Sequence, residues 1–370
     1  MSNARKLADN LPIDGQIGIG RNMLINGSMQ VTQRNSSVTG IGASGSAYIT
    51  HDRWKIKANN TAGRFTMEQS TDAPSGFTNS LKFSCTTADT SIAADEELRL
   101  SQHIEAGSCA RTMTGTSDAK QITLSFYAKA DSTKTYVAQI LNNKHSGYIH
   151  NNRTFTVTSS WQRFEMTFQA DTTADSKMDG TLTDAGFSLS FWLHAGSNYT
   201  SATLASDWAT GTTNRAAGTQ SFFSSTNNRF YLTGCQLEVG SQSTPFEHEP
   251  YGETLRKCQR YFYLETPTST DSSGRLGVCS HSTTVVFDHT LPVQMRTKPS
   301  LSLTSASLRI GDTVSQGFTT SSGTVAQNTY SGTQSITYIL GGFSGLTTYR
   351  TYLHEPDAAS PGMVKFDAEL

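Results

Sequence analysis

Ile122-Thr123-Leu124-Ser125-Phe126 places an apolar side chain at every second position. A strand sends successive side chains to opposite faces, so this spacing predicts one face on a core and one in water. The same period recurs in Phe164, Met166 and Phe168, in Phe187, Leu189 and Phe191, and in Cys235, Leu237 and Val239. Leu98 and Leu100, followed by Gln102 and Ile104, make a fifth run, and Ser, Thr, Gly, Asn and Asp bound each of them. Short alternating runs without intervening helices predict an all-β protein, with a jelly-roll-like β-sandwich over residues 22–250.

Composition agrees with that reading. Charged residues are only 16% of the 370, against a usual share near 25%, while Ser and Thr together make about a quarter. A net charge of −1 leaves no electrostatic footprint for nucleic acid. No apolar run approaches the roughly 20 residues a membrane helix needs, so neither membrane insertion nor a secretory signal is expected. The five cysteines (Cys85, Cys109, Cys235, Cys258 and Cys279) are widely spaced and odd in number. They read as buried free thiols of a chain folded in a reducing cytosol.

Outside the sandwich the pattern changes. Residues 1–21 begin with Ala4-Arg5-Lys6-Leu7-Ala8-Asp9-Asn10-Leu11, enough for two helical turns, before Pro12 and a glycine-rich stretch. So short a helix is unstable alone, which predicts a docking segment carried by Arg5, Lys6, Leu7 and Leu11. Over residues 251–265 a helix is expected: Tyr251, Leu255, Cys258 and Phe262 form one apolar stripe. That stripe could pack on its own sandwich or meet two symmetry mates on a threefold axis. Residues 266–370 read as a C-terminal β domain, with strands expected over Val278–Phe287, Leu301–Leu303, Ile336–Leu340 and Thr348–Leu353.

Motifs of the kind that carries chemistry are thin. Gly40-Ile41-Gly42-Ala43-Ser44-Gly45 matches a dinucleotide fingerprint, but strand-like residues follow it where a helix is needed, so it reads as a glycine loop between strands. His51 and Asp52 are adjacent and would point to opposite faces of a strand. No nucleophile signature or histidine cluster suggests catalysis or a metal centre, and no cofactor is expected. Asp171, Asp175, Asp179 and Asp184 read as turn-capping residues that could hold a structural calcium ion. Of the tryptophans, Trp54, Trp161 and Trp192 read as core. Trp208, in a loop, and Tyr199 are the candidates for stacking on a glycan or partner.

Several stretches carry a family likeness. Asn22-Met23-Leu24-Ile25-Asn26-Gly27-Ser28-Met29-Gln30-Val31-Thr32-Gln33-Arg34, followed by Asp52-Arg53-Trp54, resembles tail-fibre and virion-fibre proteins of tailed bacteriophages, particularly those of aquatic bacteria. So do Cys235-Gln236-Leu237-Glu238-Val239-Gly240 with Thr244-Pro245-Phe246-Glu247, the basic helix Leu255–Phe262, and the ending Phe366-Asp367-Ala368-Glu369-Leu370. The resemblance implies a trimeric fibre with a carbohydrate-binding-module-like jelly-roll head. It implies attachment to a virion adaptor, nozzle or capsid protein through the N-terminus, and adhesion to host surface polysaccharide without catalysis. It supplies no motif for the binding residues. A structural capsid or collar fibre without receptor binding is the alternative, and a polysaccharide depolymerase the more distant one.

Overall fold

The computed structural model describes residues 20–178, 181, 183–265, 275–312 and 317–370. The docking residues Arg5, Lys6, Leu7 and Leu11, and Asp179, lie outside the described residues. The chain divides into two compact units, Met1–Thr254 and Leu255–Leu370.

The first unit contains β1 (Ser37–Tyr48), β2 (Lys55–Ser70), β3 (Ser80–Thr87), β4 (Glu97–Glu105) and β5 (Ile122–Ala130). There follow β6 (Lys134–Asn142), β7 (His150–Val157), β8 (Gln162–Phe168), β9 (Ala185–Ala195) and β10 (Arg229–Val239). Every alternating run named above is one of these strands. They are hydrogen-bonded in the order β7-β6-β9-β4-β2-β3-β10-β5-β8, with β1 added on β2. The ladder folds over on itself: Phe126 of β5 meets Phe155 of β7 and Phe191 of β9, each at 5.0 Å between ring centres. Tyr136 of β6 meets Phe230 of β10 at 5.4 Å. The result is a sandwich of two layers, β2-β4-β9-β6-β7 and β2-β3-β10-β5-β8, closed over one aromatic-rich core.

Strand β2 belongs to both layers. Its first half pairs with β4 from Lys55↔Ser101 to Asn59↔Glu97, and its second half pairs with β3 from Arg64↔Thr87 to Ser70↔Ser80. Between the halves, Asn60 takes a left-handed φ of 49°. The Asp89 carboxylate accepts from Thr61 Oγ1 at 3.0 Å and from the Ala62 amide at 2.7 Å, satisfying groups that the turning strand leaves unpaired. Residues 40–45 lie inside β1, not in a loop; their glycines mark three breaks in its register with β2.

The motif residues at the N-terminal side form a latch. The Asn22 side chain donates to Cys235 O and accepts from the Leu237 amide, both at 3.0 Å, so it lies along β10. Glu247 accepts the backbone amides of Gly20 at 2.6 Å and Asn22 at 2.9 Å. Gln236 accepts the Glu247 amide at 2.8 Å, and Glu238 takes the amide and hydroxyl of Thr244, each at 2.8 Å. Asn26 exchanges hydrogen bonds with Val31 and accepts the Trp54 indole N–H on its carbonyl at 3.1 Å. In the Asn22 and Cys235–Glu247 stretches the residues that carry the likeness are therefore structural ones, and they bring the chain into and out of the sandwich at one corner.

Helix α1 (Tyr251–Gln259) is shorter than expected and stops before Phe262, which opens a strand. Within the second unit, β16 (Gly317–Thr320), β15 (Leu308–Asp312), β19 (Thr351–His354), β12 (Leu276–His281), β13 (Thr284–Thr290), β18 (Ser335–Gly341) and β17 (Thr324–Gln327) form a seven-stranded sheet in that order. A three-stranded sheet, β11 (Phe262–Leu264), β20 (Val364–Asp367) and β14 (Ser300–Leu303), completes it. Phe287, Tyr338, Tyr352 and Phe366 are the large side chains of its own core. All five cysteines are free and buried.

Candidate functional site

Strands β2, β4 and β9 turn their inner residues, such as Ile56, Leu98, Leu100, Leu189 and Phe191, into the core. Period two then sends Lys55 and Lys57, Arg99, Ser101 and His103, and Ser188 and Ser190 to the outer face. Register sets them side by side: Lys55↔Ser101↔Ser190 form one row, and Lys57↔Arg99↔Trp192 the next. These side chains line a cleft of about 70 Å³, with Ser46 of β1 at one end and Leu141 of β6 at the other.

The floor is hydrogen-bonded. Ser101 Oγ and Ser190 Oγ lie 2.8 Å apart, Ser188 Oγ is 2.6 Å from His103 Nδ1, and Asn143 donates to Ser188 Oγ at 2.8 Å. Glu97, its side chain 1% exposed, holds Lys57 Nζ at 2.6 Å and Arg99 Nε at 2.8 Å. Lys55 lies over the Tyr48 ring at 5.4 Å. Burial, with the charges of Lys55, Arg53 and Arg99, pushes the His103 pKa down to about 4, so the ring is neutral at pH 7. The site presents cations, hydroxyls and a neutral imidazole. These groups can donate hydrogen bonds to an oxygen-rich ligand.

Beside the cleft, Trp192 is fully buried, but on the outer side of its sheet. It is covered by the segment after β9 and forms a small cluster with Val137, Ala195 and Ala216. Arg99 lies over its ring at 4.9 Å and Arg215 at 5.4 Å. Arg215 also donates to Gln139 Oε1 at 2.7 Å. Tyr199 packs on Trp192 at 5.1 Å and is half-buried, so it borders the same face as the cleft.

Trp208 is placed elsewhere. Its ring stacks on Phe187 at 6.1 Å, its N–H donates to Gln169 O at 2.7 Å, and its neighbour Ala209 pairs with His150 of β7. It closes the edge where β7 and β8 come together. Trp161 is not core either: half-buried, it donates to Asp72 Oδ1 at 3.0 Å. With Tyr231 it forms an aromatic pair on the outer face of the other layer, where Lys129 lies 5.5 and 4.6 Å from the two ring centres. Trp54 is core, as expected. Of the expected trimer contacts, Cys258 and Phe262 are already buried in the single chain, whereas Tyr251 is 55% exposed and Leu255 half-buried.

The acidic residues have local duties. Asp171 accepts the Thr173 amide, Asp175 the Ser146 hydroxyl, and Asp184 pairs with Lys144 at 3.5 Å. Among the described residues no group of three or more His, Cys, Asp or Glu side chains comes together as metal ligands. In the second unit, buried Glu265 lies 3.5 Å from Arg275 Nε and 3.4 Å from His354 Nδ1. Burial opposes its ionisation, but the His354 contact and the neighbouring positive charges hold its carboxyl below the ordinary value. It is a buried ion-pair centre rather than a proton donor.

The cleft residues escape sequence reasoning because each is the polar half of an alternating run. The signal is that three cations and three serines share one parity on β2, β4 and β9, and strand order decides whether they meet.

No family model matches the chain, and no curated protein does. Solved structures align with part of it. A CBM4 structure aligns over 58% of this chain and 97% of its own at 15% identity, with a TM-score of 0.29. A family 11 carbohydrate-binding module from Clostridium thermocellum, in complex with a beta-1,3-1,4-mixed-linked tetrasaccharide, aligns over 53% and 91% at 14% identity, with a TM-score of 0.27. The enzymatically active domain of tailspike protein 4 from bacteriophage CBA120 aligns over 59% of this chain and 21% of its own at 11% identity, with a TM-score of 0.31. TM-scores near 0.3 assign neither ligand nor activity to this chain.

Proposed function

We propose that this chain is a non-catalytic glycan-binding fibre protein of the tailed-phage type. It joins the virion through residues 1–21, assembles as a homotrimer, and holds host-surface polysaccharide on the outer face of the β2-β4-β9 layer. The observation that carries the reading is the cleft. Serine hydroxyls and basic side chains from four strands converge there on one sheet, without the groups a hydrolase requires. The Asn22, Gln236, Glu238 and Glu247 latch supports the attachment half: it fixes the point at which an N-terminal segment enters the head. Three weak sites on one trimer would gain about 10²–10⁴ in avidity over one.

Binding of the full chain to an array of bacterial polysaccharides tests this, with Ser46→Trp on the exposed rim and Ser101→Tyr on the floor as blocking variants. Saturable binding that both variants reduce while remaining folded, with no release of reducing ends, is the expected result. No binding to any polysaccharide would move the protein to a structural collar or capsid role. Release of reducing ends would make it a depolymerase.

A further inference from the structure

We propose that the sugar held in this cleft is acidic, its carboxylate, sulfate or phosphate group seated against Lys55, Lys57 and Arg99. The inference rests on the cleft being the glycan site. Three of the side chains lining it are cationic and none is acidic. Beneath them the Glu97 carboxylate is buried and shared by Lys57 and Arg99, so one negative charge serves these two positive ones from below. It also orients both: with Glu97 underneath and Trp192 beside it, the Arg99 side chain is held in place rather than left to wander as a surface arginine. Lys55 is similarly steered by the face of Tyr48. The hydroxyls of Ser101 and Ser190 lie in the row of Lys55, beside that of Lys57 and Arg99, where they can meet the neutral hydroxyls of the same sugar.

The electrostatics of His103 agree with the geometry. Apart from burial, what depresses its proton affinity is the positive charge of Lys55, Arg53 and Arg99, so this histidine already registers the field an anion would answer. A neutral polysaccharide would leave those cations without a partner from the ligand and would gain only the serine contacts.

Isothermal titration of the full chain against three polymers tests the inference: polygalacturonate, the same polymer with its carboxyl groups reduced to alcohols, and a sulfated dextran. At least one acidic polymer is expected to bind about tenfold or more tighter than the reduced one, and to weaken as ionic strength rises. A preference between the two acidic polymers names the group. Lys55→Gln with Lys57→Gln should remove most of that advantage, whereas Lys134→Gln, on β6 away from the cleft, should not. Equal binding of acidic and reduced polymers overturns the acidic inference and leaves glycan binding standing. Failure of all three overturns both. An equal loss in Lys134→Gln marks the attraction as diffuse surface charge and overturns the inference.

Discussion

The carboxylate of Glu247 grips the main chain of Asn22: Oε2 accepts the Asn22 amide at 2.9 Å, while Oε1 takes the Gly20 amide at 2.6 Å. Asn22 in turn reaches β10 with both ends of its side chain. A polar side chain that satisfies two backbone groups of another strand, and the Leu24 amide of its own segment, is costly to delete, because the partners stay behind without hydrogen bonds. Asn22→Ala should cost about 1–3 kcal/mol in the urea unfolding of the first unit. Glu247→Gln, which keeps an acceptor but loses the charge, should cost less. A midpoint unmoved by Asn22→Ala would show that the latch is ornamental.

Two glycines should respond in opposite directions. A Cβ on Gly27 would stand 2.1 Å from Cys235 O, a backbone atom of β10 that cannot move aside, so Gly27→Ala must displace the N-terminal segment. The expected loss is at least about 1–3 kcal/mol. Gly252, in α1, has nothing within 4 Å of its Cβ position, so Gly252→Ala should be neutral or gain up to about 1 kcal/mol by helix propensity. Thermal denaturation of the pair checks both signs at once.

The strands were legible because Phe126, Phe191 and Leu237 each sit in a clean period-two run, and burial of one face forces that register. The continuity of β2 was not. Asn59-Asn60-Thr61-Ala62-Gly63 has no apolar alternation, and partners distant in sequence, Asp89 and Asp95, satisfy the strand where it bends. The strands β16 (Gly-Phe-Thr-Thr) and β17 (Thr-Val-Ala-Gln) of the second unit are four residues each, too short for a period of two to show until sheet neighbours are known. For the site, aromatic residues drew attention to Trp208 and Tyr199. Tyr199 does border the cleft face, while Trp208 is spent on the β7/β8 edge. Ser101 and Ser190 were invisible as partners because their pairing joins segments about ninety residues apart.

Trp208→Ala separates stacking on sugar from closing the sandwich. The indole covers Phe187 and donates to Gln169 O, so its removal should destabilise the first unit by about 1–3 kcal/mol. The glycan affinity of the folded fraction should stay within about twofold of the parent. A large affinity loss at unchanged stability would instead make Trp208 a ligand contact.

Acid should weaken the fold well before its carboxylates titrate. Burial lowers the His51 pKa to about 3, and burial is also the main cause for His103, His150 and His289, each near 4. All four lie below the unfolded value of about 6.5, so between pH 6.5 and 4 the unfolded chain binds protons that the folded chain refuses. Their contribution is complete above pH 6.5 and is lost as pH falls toward 4. For His51, enclosed and bonded to Thr50 Oγ1 at 3.0 Å, the upper bound is about 5 kcal/mol at about 1.4 kcal/mol per unit. Urea midpoints measured at pH 7.5 and pH 5 should therefore fall with acid, and His51→Gln should flatten the dependence for the first unit. A midpoint that stays level or rises between those two pH values would mean that these histidines take up protons in the folded state and are reached by water.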